Sequence, residues 1–511
     1  MKVFKLIYIL YKIKLLSPAG LYRLMEAVFT CGINLMVLLH FAGKKYPTEV
    51  AVVDDHETLT YEQLLAQSNK LARCLRENKR LKPGKHVGFL CKNHASFIKA
   101  IFAVSRLGAD VYLLNPEMSK IQFNELVDRY QFDLVIYDAE LSTFVEQSSY
   151  TNDTILSYHE SLPAINNFLL SPAKDTQPLP RSSASKIILQ TSGTTGFSKK
   201  AAHKPSLFNY LDPFIAFVMR LKLLNHRTAY IATPIYHGYG LAVFLLFIPL
   251  GKKAVISSGF HAKRACGLIR DHQAEVVTVV PLMLQEMLRT NAQDLKSLVC
   301  IASGGAKLSA KLTEKTYKEL GNVLYNLYGT SEAGLNFIAT PQDLLYSTST
   351  VGRKINGMQL KVLDRDMNEV ETGEAGQFCI KNSWSMRDRN SAWMETGDLG
   401  YQDNNGYYFL CGRTDEMIIS GGENVYPAEV ENVLMKHSFI EDVAIIGIND
   451  EKFGQRLKAF VVPVENASLT ENEIMEWLRS RVARYQLPRE IELVDDLPYT
   501  ALGKLDKKQL K

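Results

Sequence analysis

The sequence has few long apolar runs and no closely spaced cysteines. No stretch reaches the ~18 uncharged apolar residues that a membrane-spanning helix needs, and the mean hydropathy is −0.08. The seven cysteines are scattered along the chain without a CxxC pair. These absences argue against a multi-span membrane protein, a zinc ribbon and a disulfide scaffold. A reducing, cytoplasmic compartment is the simplest expectation.

An excess of one charge is also absent. The chain has 59 Lys and Arg residues against 54 Asp and Glu residues, a net charge of +5, which is too balanced to indicate a nucleic-acid partner. Hydrophobic residues make up 46% and charged residues 22% of the 511 positions. This is ordinary globular composition, and the length favours two to four domains.

Residues 1–45 differ from the rest of the chain. The first acidic residue is Glu26, and apolar residues separate the basic residues that precede it, namely Lys2, Lys5, Lys12, Lys14 and Arg23. Residues 27–42 are mostly apolar, but ~16 residues that include Asn34 and His40 are short for a membrane span. Two interpretations stay open: a helix packed on the body, or peripheral attachment of residues 1–45 to the inner face of a membrane.

Residues 46–412 alternate between short β-rich runs and helix-like segments such as 61–76 and 93–107. The β-rich runs are 86–90, 110–114, 133–137, 186–190, 228–232, 254–258, 275–280 and 298–303. This alternation predicts a large N-terminal α/β domain with parallel or mixed sheets. Beyond a break near Gly412, residues 413–511 have strand and helix patterns of their own (442–448, 457–464 and 471–484), which predict a small α+β domain.

The most specific motif follows the apolar run 186–190 and reads Thr191-Ser192-Gly193-Thr194-Thr195-Gly196-Phe197-Ser198-Lys199. Its glycines allow a tight turn that brings backbone N–H groups near a ligand. Its hydroxyls and its lysine suit an oligophosphate. Neither GxxxxGK[ST] nor GxGxxG occurs. The alternative is an ordinary surface turn rich in small polar residues.

This string resembles the phosphate loop of the adenylate-forming superfamily, which contains acyl-CoA synthetases, luciferases and the adenylation domains of peptide synthetases. Further motifs that resemble those of the family follow in its order: Tyr328-Gly329-Thr330-Ser331-Glu332, Glu395-Thr396-Gly397-Asp398, Gly412-Arg413-Thr414-Asp415, residues 421–431, and Thr500-Ala501-Leu502-Gly503-Lys504. Ser198, Lys200, Gln377 and the short stretch 381–394 depart from the family's pattern. None of these departures removes an expected charged ligand.

The resemblance implies an ATP site, a magnesium ion and coenzyme A. It implies that Thr191, Ser192, Gly193, Thr194, Thr195, Gly196 and Lys199 hold the phosphates, and that Thr191 and Lys199 also act in catalysis. Glu332 would ligate Mg²⁺, a hard cation that prefers oxygen. Asp398 would accept the ribose hydroxyls with help from Arg413. Tyr328 would stack on adenine. The remaining residues around the nucleotide would be Gly304, Gly305, Ala306, Asn326, Gly329, Thr330 and Ser331.

The resemblance also gives roles to two residues near the end of the chain. Taken alone, Lys504 reads as a solvated lysine. In the family, the equivalent lysine bridges the substrate carboxylate and the α-phosphate, where a cation stabilises developing charge. Asp415 would be the pivot about which a mobile C-terminal domain rotates after adenylation.

The resemblance implies an acyl pocket that comprises Tyr236, His237, Gly238, Gly240 and Gly304. No acidic residue occurs between Asp212 and Asp271, and a buried ammonium without a carboxylate is costly. An uncharged, apolar acid is therefore expected. Whether 241–248 lines the pocket or is only a core helix stays open, as does the role of His237.

These observations predict a fatty-acid–CoA ligase that forms acyl-AMP, then acyl-CoA, AMP and pyrophosphate. The alternatives are an acyl-AMP ligase that transfers to a carrier protein, a non-catalytic acyl-nucleotide binding protein and, with less support, a luciferase-like oxidation. Chain length and oligomeric state do not follow from the sequence.

Overall fold

A computed structural model describes residues 2–170, 177–191, 199–203, 210–330, 333–364, 366–385, 393–420, 423–450, 454–465, 467–500 and 503–510. The fold is α/β. The chain divides into two compact units, the first formed by Met1–Val279 with Glu286–Ala302 and the second by Val280–Gln285 with Ser303–Lys511. The predicted domain boundary near Gly412 refers to rotation of the C-terminal domain about Asp415. It stays a prediction.

Within those residues the chain forms sixteen α-helices. They are α1 Lys2–Lys12, α2 Pro18–Cys31, α3 Met36–Lys45, α4 Tyr61–Lys79, α5 Ala95–Arg106, α6 Lys120–Tyr130, α7 Ser142–Glu146, α8 Ile165–Leu170, α9 Leu211–Arg220, α10 Gly238–Phe247, α11 Ala262–His272, α12 Pro281–Asn291, α13 Ala310–Leu320, α14 Pro341–Tyr346, α15 Pro427–Leu434 and α16 Glu471–Arg479. Polar N-caps explain several of the starts. Thr60 and Thr470, for example, form capping boxes with Gln63 and Glu473 that satisfy the first N–H groups of α4 and α16.

The described residues also form twenty-four strands. They are β1 Val50–Val53, β2 Thr58–Thr60, β3 His86–Leu90, β4 Asp110–Leu113, β5 Leu134–Tyr137, β6 Asp153–Leu156, β7 Ile187–Thr191, β8 Lys199–His203, β9 Thr228–Ile231, β10 Lys253–Ile256, β11 Val276–Val279, β12 Cys300–Gly304, β13 Leu324–Thr330, β14 Gly334–Ala339, β15 Thr350–Lys354, β16 Gln359–Leu363, β17 Gly376–Lys381, β18 Met394–Gln402, β19 Tyr408–Arg413, β20 Ile418–Ser420, β21 Glu423–Val425, β22 Ile440–Asp450, β23 Gly454–Pro463 and β24 Glu490–Leu493.

The first unit contains two sets of largely parallel strands. One sheet has the order β6-β5-β3-β4-β7-β8, and all of its pairs are parallel except β7 with β8. The second set runs β2-β1-β10-β9-β11, with β2 as the antiparallel edge strand. Most of these strands are buried, for example β4, β5 and β9 along their whole length. Parallel strands joined by helices are what the alternating sequence pattern predicts.

The second unit contains antiparallel strands in the order β13-β14-β15-β19-β18-β17-β16. A further sheet has the order β21-β20-β23-β22, and β24 pairs with β23 in parallel. The helices α15 and α16 cover this last sheet around a core that includes Val430, Ile445 and Leu478. The small α+β domain expected from the sequence is therefore present as a sheet packed with helices.

The N-terminal 45 residues form three helices, α1, α2 and α3, and residues 27–42 are divided between α2 and α3. The apolar stretch 27–42 is interrupted because Gly32 ends α2 with φ 80°, and a Cβ there would lie 2.3 Å from the carbonyl oxygen of Ser182. Seven residues of α3 are buried, including Leu39 and Phe41. That part of the segment packs on the first unit, as the first interpretation predicts. No helix in the described ranges has the length and apolarity that crossing a membrane requires.

Candidate functional site

The side chain of Asp398 lies at the centre of a hydrogen-bonded group in the second unit. Asp398 on β18 is the cross-strand partner of Arg413 on β19, so two separate sequence motifs become neighbours through strand register. The Tyr328 hydroxyl on β13 donates to Asp398 Oδ2 over 2.5 Å, and Arg413 donates to Oδ1 over 3.1 Å. Two of the residues expected at the nucleotide therefore converge on the carboxylate of a third.

Arg413 joins this carboxylate to a second one. Its Nε donates to Asp415 Oδ1 over 2.8 Å, and the Thr414 hydroxyl donates to the Gly397 carbonyl over 3.2 Å. Gly397 has φ +75°, and a Cβ there would lie 3.0 Å from the Arg413 guanidinium. Glycine at this position therefore lets the strand turn and leaves room for the arginine. The predicted hinge residue Asp415 is thus connected directly to the Asp398 group.

Burial dominates the electrostatics of the group. It raises the pKa of Asp398, although the hydrogen bond from Tyr328 and the charge of Arg413 both lower that pKa. Burial and the neighbouring carboxylate together hold the pKa of Tyr328 well above its ordinary value, so the phenol stays protonated and donates. An ionised carboxylate has about four acceptor positions, so Asp398 keeps acceptor capacity for further hydroxyl donors such as those of a ribose.

The ring of Tyr328 packs inside the unit. It is 8% exposed and lies 5.5 Å from the ring of Phe337 at 57°. Asn326, two residues earlier on β13, is buried and donates to the Thr350 carbonyl over 3.1 Å. The expected stacking of Tyr328 on adenine stays a prediction, and the observed contact of its hydroxyl is with Asp398.

Residues on both sides of Glu332 form a tight hairpin. Gly329 and Thr330 pair with Leu335 and Gly334, and a Cβ at Gly329 would lie 2.5 Å from the Gly334 carbonyl oxygen. The Thr330 hydroxyl accepts from the N–H of Ala333 over 3.0 Å. Ser331 and Glu332 themselves lie outside the described residues, so the magnesium role of Glu332 stays a prediction.

The strands β7 and β8 lie on either side of the predicted phosphate loop. Thr191 and Lys199 are the last and first residues of these strands and pair with each other across the ladder. The residues between them, including Ser192, Gly193, Thr194, Thr195 and Gly196, lie outside the described part of the chain. Their contacts with phosphates, and those of the Thr191 and Lys199 side chains, stay predictions.

Lys504 stands on a turn that contacts the same valine as the Gly304-Gly305-Ala306 segment. Thr500 and Lys504 exchange hydrogen bonds across this turn. Gly503 has φ +66°, and a Cβ there would lie 2.6 Å from Val280 Cγ2. A Cβ at Gly305, which has φ +84°, would lie 3.5 Å from Val280 Cγ1. Val280 therefore brings the lysine turn close to the glycines expected at the nucleotide.

Another contact anchors the lysine turn to the last sheet. The hydroxyl of Tyr499 donates to Asp442 Oδ2 over 2.5 Å, and Tyr499 bridges to Leu505 across the turn. Burial raises the pKa of Asp442, with the hydrogen bond from Tyr499 acting in the opposite direction. Sequence reasoning did not single out Tyr499 or Val280, and no local motif marks either of them.

Four of the five residues expected at the acyl pocket lie at or just before the start of α10 in the first unit, whereas Gly304 is the last residue of β12 and belongs to the second unit. The rings of Tyr236 and His237 lie 4.6 Å apart, and the Tyr239 hydroxyl donates to the Ala302 carbonyl over 2.7 Å. A Cβ at Gly240 would lie 2.3 Å from the Pro234 carbonyl oxygen, so only glycine fits there. A Cβ at Gly238 would lie 3.1 Å from Leu189.

Much of α10 belongs to the core. Leu241, Val243, Phe244 and Phe247 are buried, and the ring of Phe244 lies 6.4 Å from that of Phe102. These four side chains contribute to packing, as one of the two alternatives for 241–248 predicts. The first residues of α10, which include Gly238 and Gly240, are the part of the helix that belongs to the expected pocket.

Asn93, which sequence reasoning missed, clamps the segment that precedes α10. Its Oδ1 accepts from the N–H of Ile235 over 2.7 Å, and its Nδ2 donates to the Thr233 carbonyl over 3.1 Å. Asn93 is 4% exposed and follows the end of β3. Polar residues at the carboxyl end of a parallel strand are typical of functional sites, and that signal marks residues 91–94.

A buried network supports Asn93. The ligand atoms of Cys91, His94 and Asp138 lie within 4.8 Å of one another, a donor set that could suit a metal. The Asp138 carboxylate, however, accepts from His94 Nε2 over 2.9 Å and from the Ser157 hydroxyl over 2.5 Å. His94 Nδ1 accepts from the N–H of Phe97 over 3.1 Å, so both ring nitrogens are engaged. These bonds fix the start of α5 and the residue before it.

Comparison with protein families identifies the class of enzyme. The family model of the AMP-binding enzyme matches residues 39–388, and that of the AMP-binding enzyme C-terminal domain matches residues 429–504. Because the first match alone covers more than half of the chain, the chain belongs to this family of adenylate-forming ligases.

Individual relatives share this architecture and differ in substrate. The chain is 29% identical over 505 residues to a fatty acid–[acyl-carrier-protein] ligase of Streptomyces coeruleorubidus, covering 94% of this chain and 96% of that protein. It is 26% identical over 531 residues to a long-chain-fatty-acid–CoA ligase of Salmonella typhimurium, covering 94% of each. The o-succinylbenzoate CoA synthetase of Bacillus subtilis, solved with its acyl-adenylate intermediate, is 25% identical with a TM-score of 0.79, covering 93% of this chain and 97% of that one.

Replacing Tyr328 by Phe tests the Asp398 group through its pH dependence. The hydroxyl lowers the pKa of Asp398, so its loss raises that pKa further. If the carboxylate holds the ribose, protonation of Asp398 weakens AMP binding. On acidification, the AMP affinity of Tyr328→Phe is therefore expected to fall at a higher pH than that of the parent protein. Calorimetric AMP titrations between about pH 5 and pH 8 measure this shift.

Tyr346→Phe is the matched control, because the exposed Tyr346 donates to Asp403 over 2.7 Å in a similar pair. Its AMP titration is expected to follow the parent protein. Identical midpoints for Tyr328→Phe and the parent would contradict the assignment.

Asn93→Ala tests the clamp on the pocket segment. The change leaves the N–H of Ile235 and the carbonyl of Thr233 without their partner, and a buried unsatisfied group costs about 1–3 kcal/mol. We expect a lower free energy of unfolding in urea, together with a raised KM for the carboxylic acid and an unchanged KM for ATP. Asn152→Ala is the control, since the exposed Asn152 also donates a side-chain hydrogen bond to a backbone carbonyl, that of Phe132. Equal changes in both KM values would mean that Asn93 is only structural.

Proposed function

We propose that this enzyme activates a fatty acid with ATP to form acyl-AMP and then transfers the acyl group to coenzyme A. The observation that carries the proposal is the convergence of Tyr328 and Arg413 on the partly buried carboxylate of Asp398, in a chain of the AMP-binding enzyme family. A carboxylate held in this way suits the hydroxyl pair of a ribose. We assign Asp398 to the ribose of ATP.

In the first half-reaction, a carboxylate oxygen of the acid attacks the α-phosphorus of ATP. The new oxygen–phosphorus bond forms as the bond to the β-phosphate breaks, and pyrophosphate leaves with the electron pair. Two anions must approach, so positioning and charge neutralisation supply most of the catalysis. We assign the neutralisation of this negative charge to the ammonium group of Lys504. The shared contact of Gly503 and Gly305 with Val280 supports this assignment, because it brings the lysine turn close to the nucleotide segment.

In the second half-reaction, the sulfur of coenzyme A attacks the acyl carbonyl, the thiol loses its proton and AMP leaves. We assign the pivot between the two half-reactions to Asp415, by resemblance to the family. The ion pair of Asp415 with Arg413 supports a connection between the pivot and the ribose residue. No step is assigned to Glu332 or to the phosphate-loop residues, because their side chains lie outside the described residues.

Residues of the first unit favour a fatty acid as the substrate. No acidic residue occurs between Asp212 and Asp271 to pair with an ammonium group. The pocket segment also leads into α10, which carries no charged side chain. Two of the relatives act on fatty acids by name, whereas several others are 2-succinylbenzoate–CoA ligases by name and the solved structure carries an o-succinylbenzoyl adenylate, so the residues of this chain carry the choice. The relative that acylates a carrier protein makes transfer to a phosphopantetheine carrier the second candidate.

A pyrophosphate-release screen tests the proposal. Saturated acids of increasing chain length, 2-succinylbenzoate and several amino acids are compared, each with coenzyme A, with a phosphopantetheinylated carrier protein and with no acceptor. We expect fatty acids to give the highest turnover and coenzyme A to be the better acceptor. Preference for 2-succinylbenzoate would contradict the acid assignment, and thioester formation only on the carrier would favour the second candidate.

Lys504→Ala and Lys508→Ala provide the matched pair for this screen. Both lysines are exposed and four residues apart, but only Lys504 stands on the turn against Val280. Lys504→Ala is expected to lose pyrophosphate release by several orders of magnitude while still converting pre-made acyl-AMP to the thioester. Lys508→Ala is expected to retain both half-reactions. Equal losses in the two half-reactions of Lys504→Ala would contradict its role.

A further inference from the structure

The first two helices carry an unusual density of exposed apolar side chains. Among the described residues, twenty-one large hydrophobic side chains are exposed, and eleven of them lie within residues 3–33. We call these eleven the N-terminal apolar stripe: Val3, Phe4, Ile7, Tyr8, Tyr11, Leu16, Leu21, Tyr22, Met25, Phe29 and Ile33. Scattered exposed apolar residues are normal on a soluble protein, but a cluster of this kind marks an interaction surface.

The spacing of the stripe shows that its exposure is systematic. On α1, the exposed members Phe4, Tyr8 and Tyr11 recur at intervals of three and four residues, which is the spacing of one helix face. On α2, Tyr22, Met25 and Phe29 repeat the same intervals. Both helices bury other residues instead, such as Ile9 on α1 and Ala27 on α2. Each helix therefore has one apolar face against the body and a second one toward solvent.

Hydrogen bonds and an ion pair attach the helices that carry the stripe to other residues of the first unit. The guanidinium of Arg106 donates to the Thr30 carbonyl over 2.9 Å. The side chain of Asn34 donates to the carbonyls of Cys31 and Ser182, each over 2.8 Å. At the other end, Lys2 forms an ion pair with Asp212 at 2.7 Å. These contacts hold α1 and α2 on the first unit while the stripe itself stays exposed.

The charge around the stripe identifies its partner. Glu26 is the only acidic residue in the first 48 positions, whereas Lys5, Lys12, Lys14 and Arg23 lie between members of the stripe. The ammonium of Lys12 lies 5.6 Å from the Tyr8 ring, so charge and aromatic surface are adjacent. A second copy of the chain would bring these cations against one another. An anionic lipid surface satisfies both features, since it takes up apolar side chains and attracts basic ones.

We propose that α1 and α2 dock the enzyme on anionic membrane surfaces through the N-terminal apolar stripe, with α3 and the rest of the chain outside the bilayer. The docking residues are those of residues 3–33 that face solvent, and the apolar residues of Met36–Lys45 take no part because they are buried. The proposal does not depend on which acid the enzyme activates.

Vesicle co-sedimentation of the full chain tests this directly. The parent protein is expected to sediment with phosphatidylcholine vesicles that contain about one third phosphatidylglycerol. It is expected to bind less to pure phosphatidylcholine, and raising the salt to about 0.5 M should weaken binding to the anionic vesicles. Equal partition into both kinds of vesicle at every salt concentration would contradict the role given to the basic residues.

Paired substitutions test the stripe itself. Phe4 and Phe29 are 76% and 71% exposed, so Phe4→Ser with Phe29→Ser is expected to leave the melting temperature unchanged and to reduce vesicle binding about tenfold. The control carries the same kind of change on exposed residues elsewhere, Ile121→Ser with Leu162→Ser, which are 73% and 51% exposed. It is expected to bind like the parent. Should the first pair lower the melting temperature, Tyr11→Ser with Tyr22→Ser replaces it.

Two results would overturn the proposal. The first is unchanged binding of folded stripe variants to anionic vesicles. The second is a lipid-free dimer, seen by light scattering, that the stripe variants dissociate, because a second copy would then be the occupant. Turnover on a soluble acid without vesicles is expected to be the same in the parent, the stripe variants and the control. Failure of the docking proposal is thereby distinguishable from failure of the proposed reaction.

Discussion

The partly buried carboxylate of Asp398 is the constraint on which the second unit's site depends. Burial raises its pKa, and Tyr328 and Arg413 act in the opposite direction. A carboxylate that is largely withdrawn from water needs hydrogen-bond donors or a neighbouring positive charge, so both partners must be positioned by the fold. Strand register places Arg413 opposite Asp398, and Gly397 leaves the space that the guanidinium needs. Because Arg413 also binds Asp415, the predicted pivot is coupled to the same carboxylate.

Close backbone approaches determine where the other functional segments lie. The pairing of β13 with β14 requires glycine at 329, the start of α10 requires glycine at 240, and the lysine turn lies against Val280 at Gly503. In each case a Cβ would meet a neighbouring atom at less than 3 Å. Glycines therefore position the segments, while the charged residues beside them supply the chemistry. Asn93 has a comparable role in the first unit, where hydrogen bonds to backbone groups fix the pocket segment.

The sequence predicts the elements with strong local patterns and misses those that depend on distant partners. The parallel strands of the first unit are short apolar runs, and the prediction for 86–90 matches His86–Leu90. The antiparallel strands between Leu324 and Arg413 escaped prediction, since polar motif residues interrupt them; β18, for example, contains Glu395, Thr396 and Asp398. The family motifs identify Asp398 and Arg413, but only strand register brings them together. Asn93 and Val280 act through contacts far away in sequence, which no local motif records.

We propose that Asp398 holds the nucleotide through its carboxylate charge. The most direct measurement is AMP binding to Asp398→Asn by calorimetry, because asparagine keeps the size of the side chain and removes its charge. We expect at least a tenfold loss of affinity, since hydrogen bonds to charged groups contribute about 1.5–3 kcal/mol, with cooperative unfolding retained. AMP binding of unchanged affinity to a folded Asp398→Asn protein would contradict it.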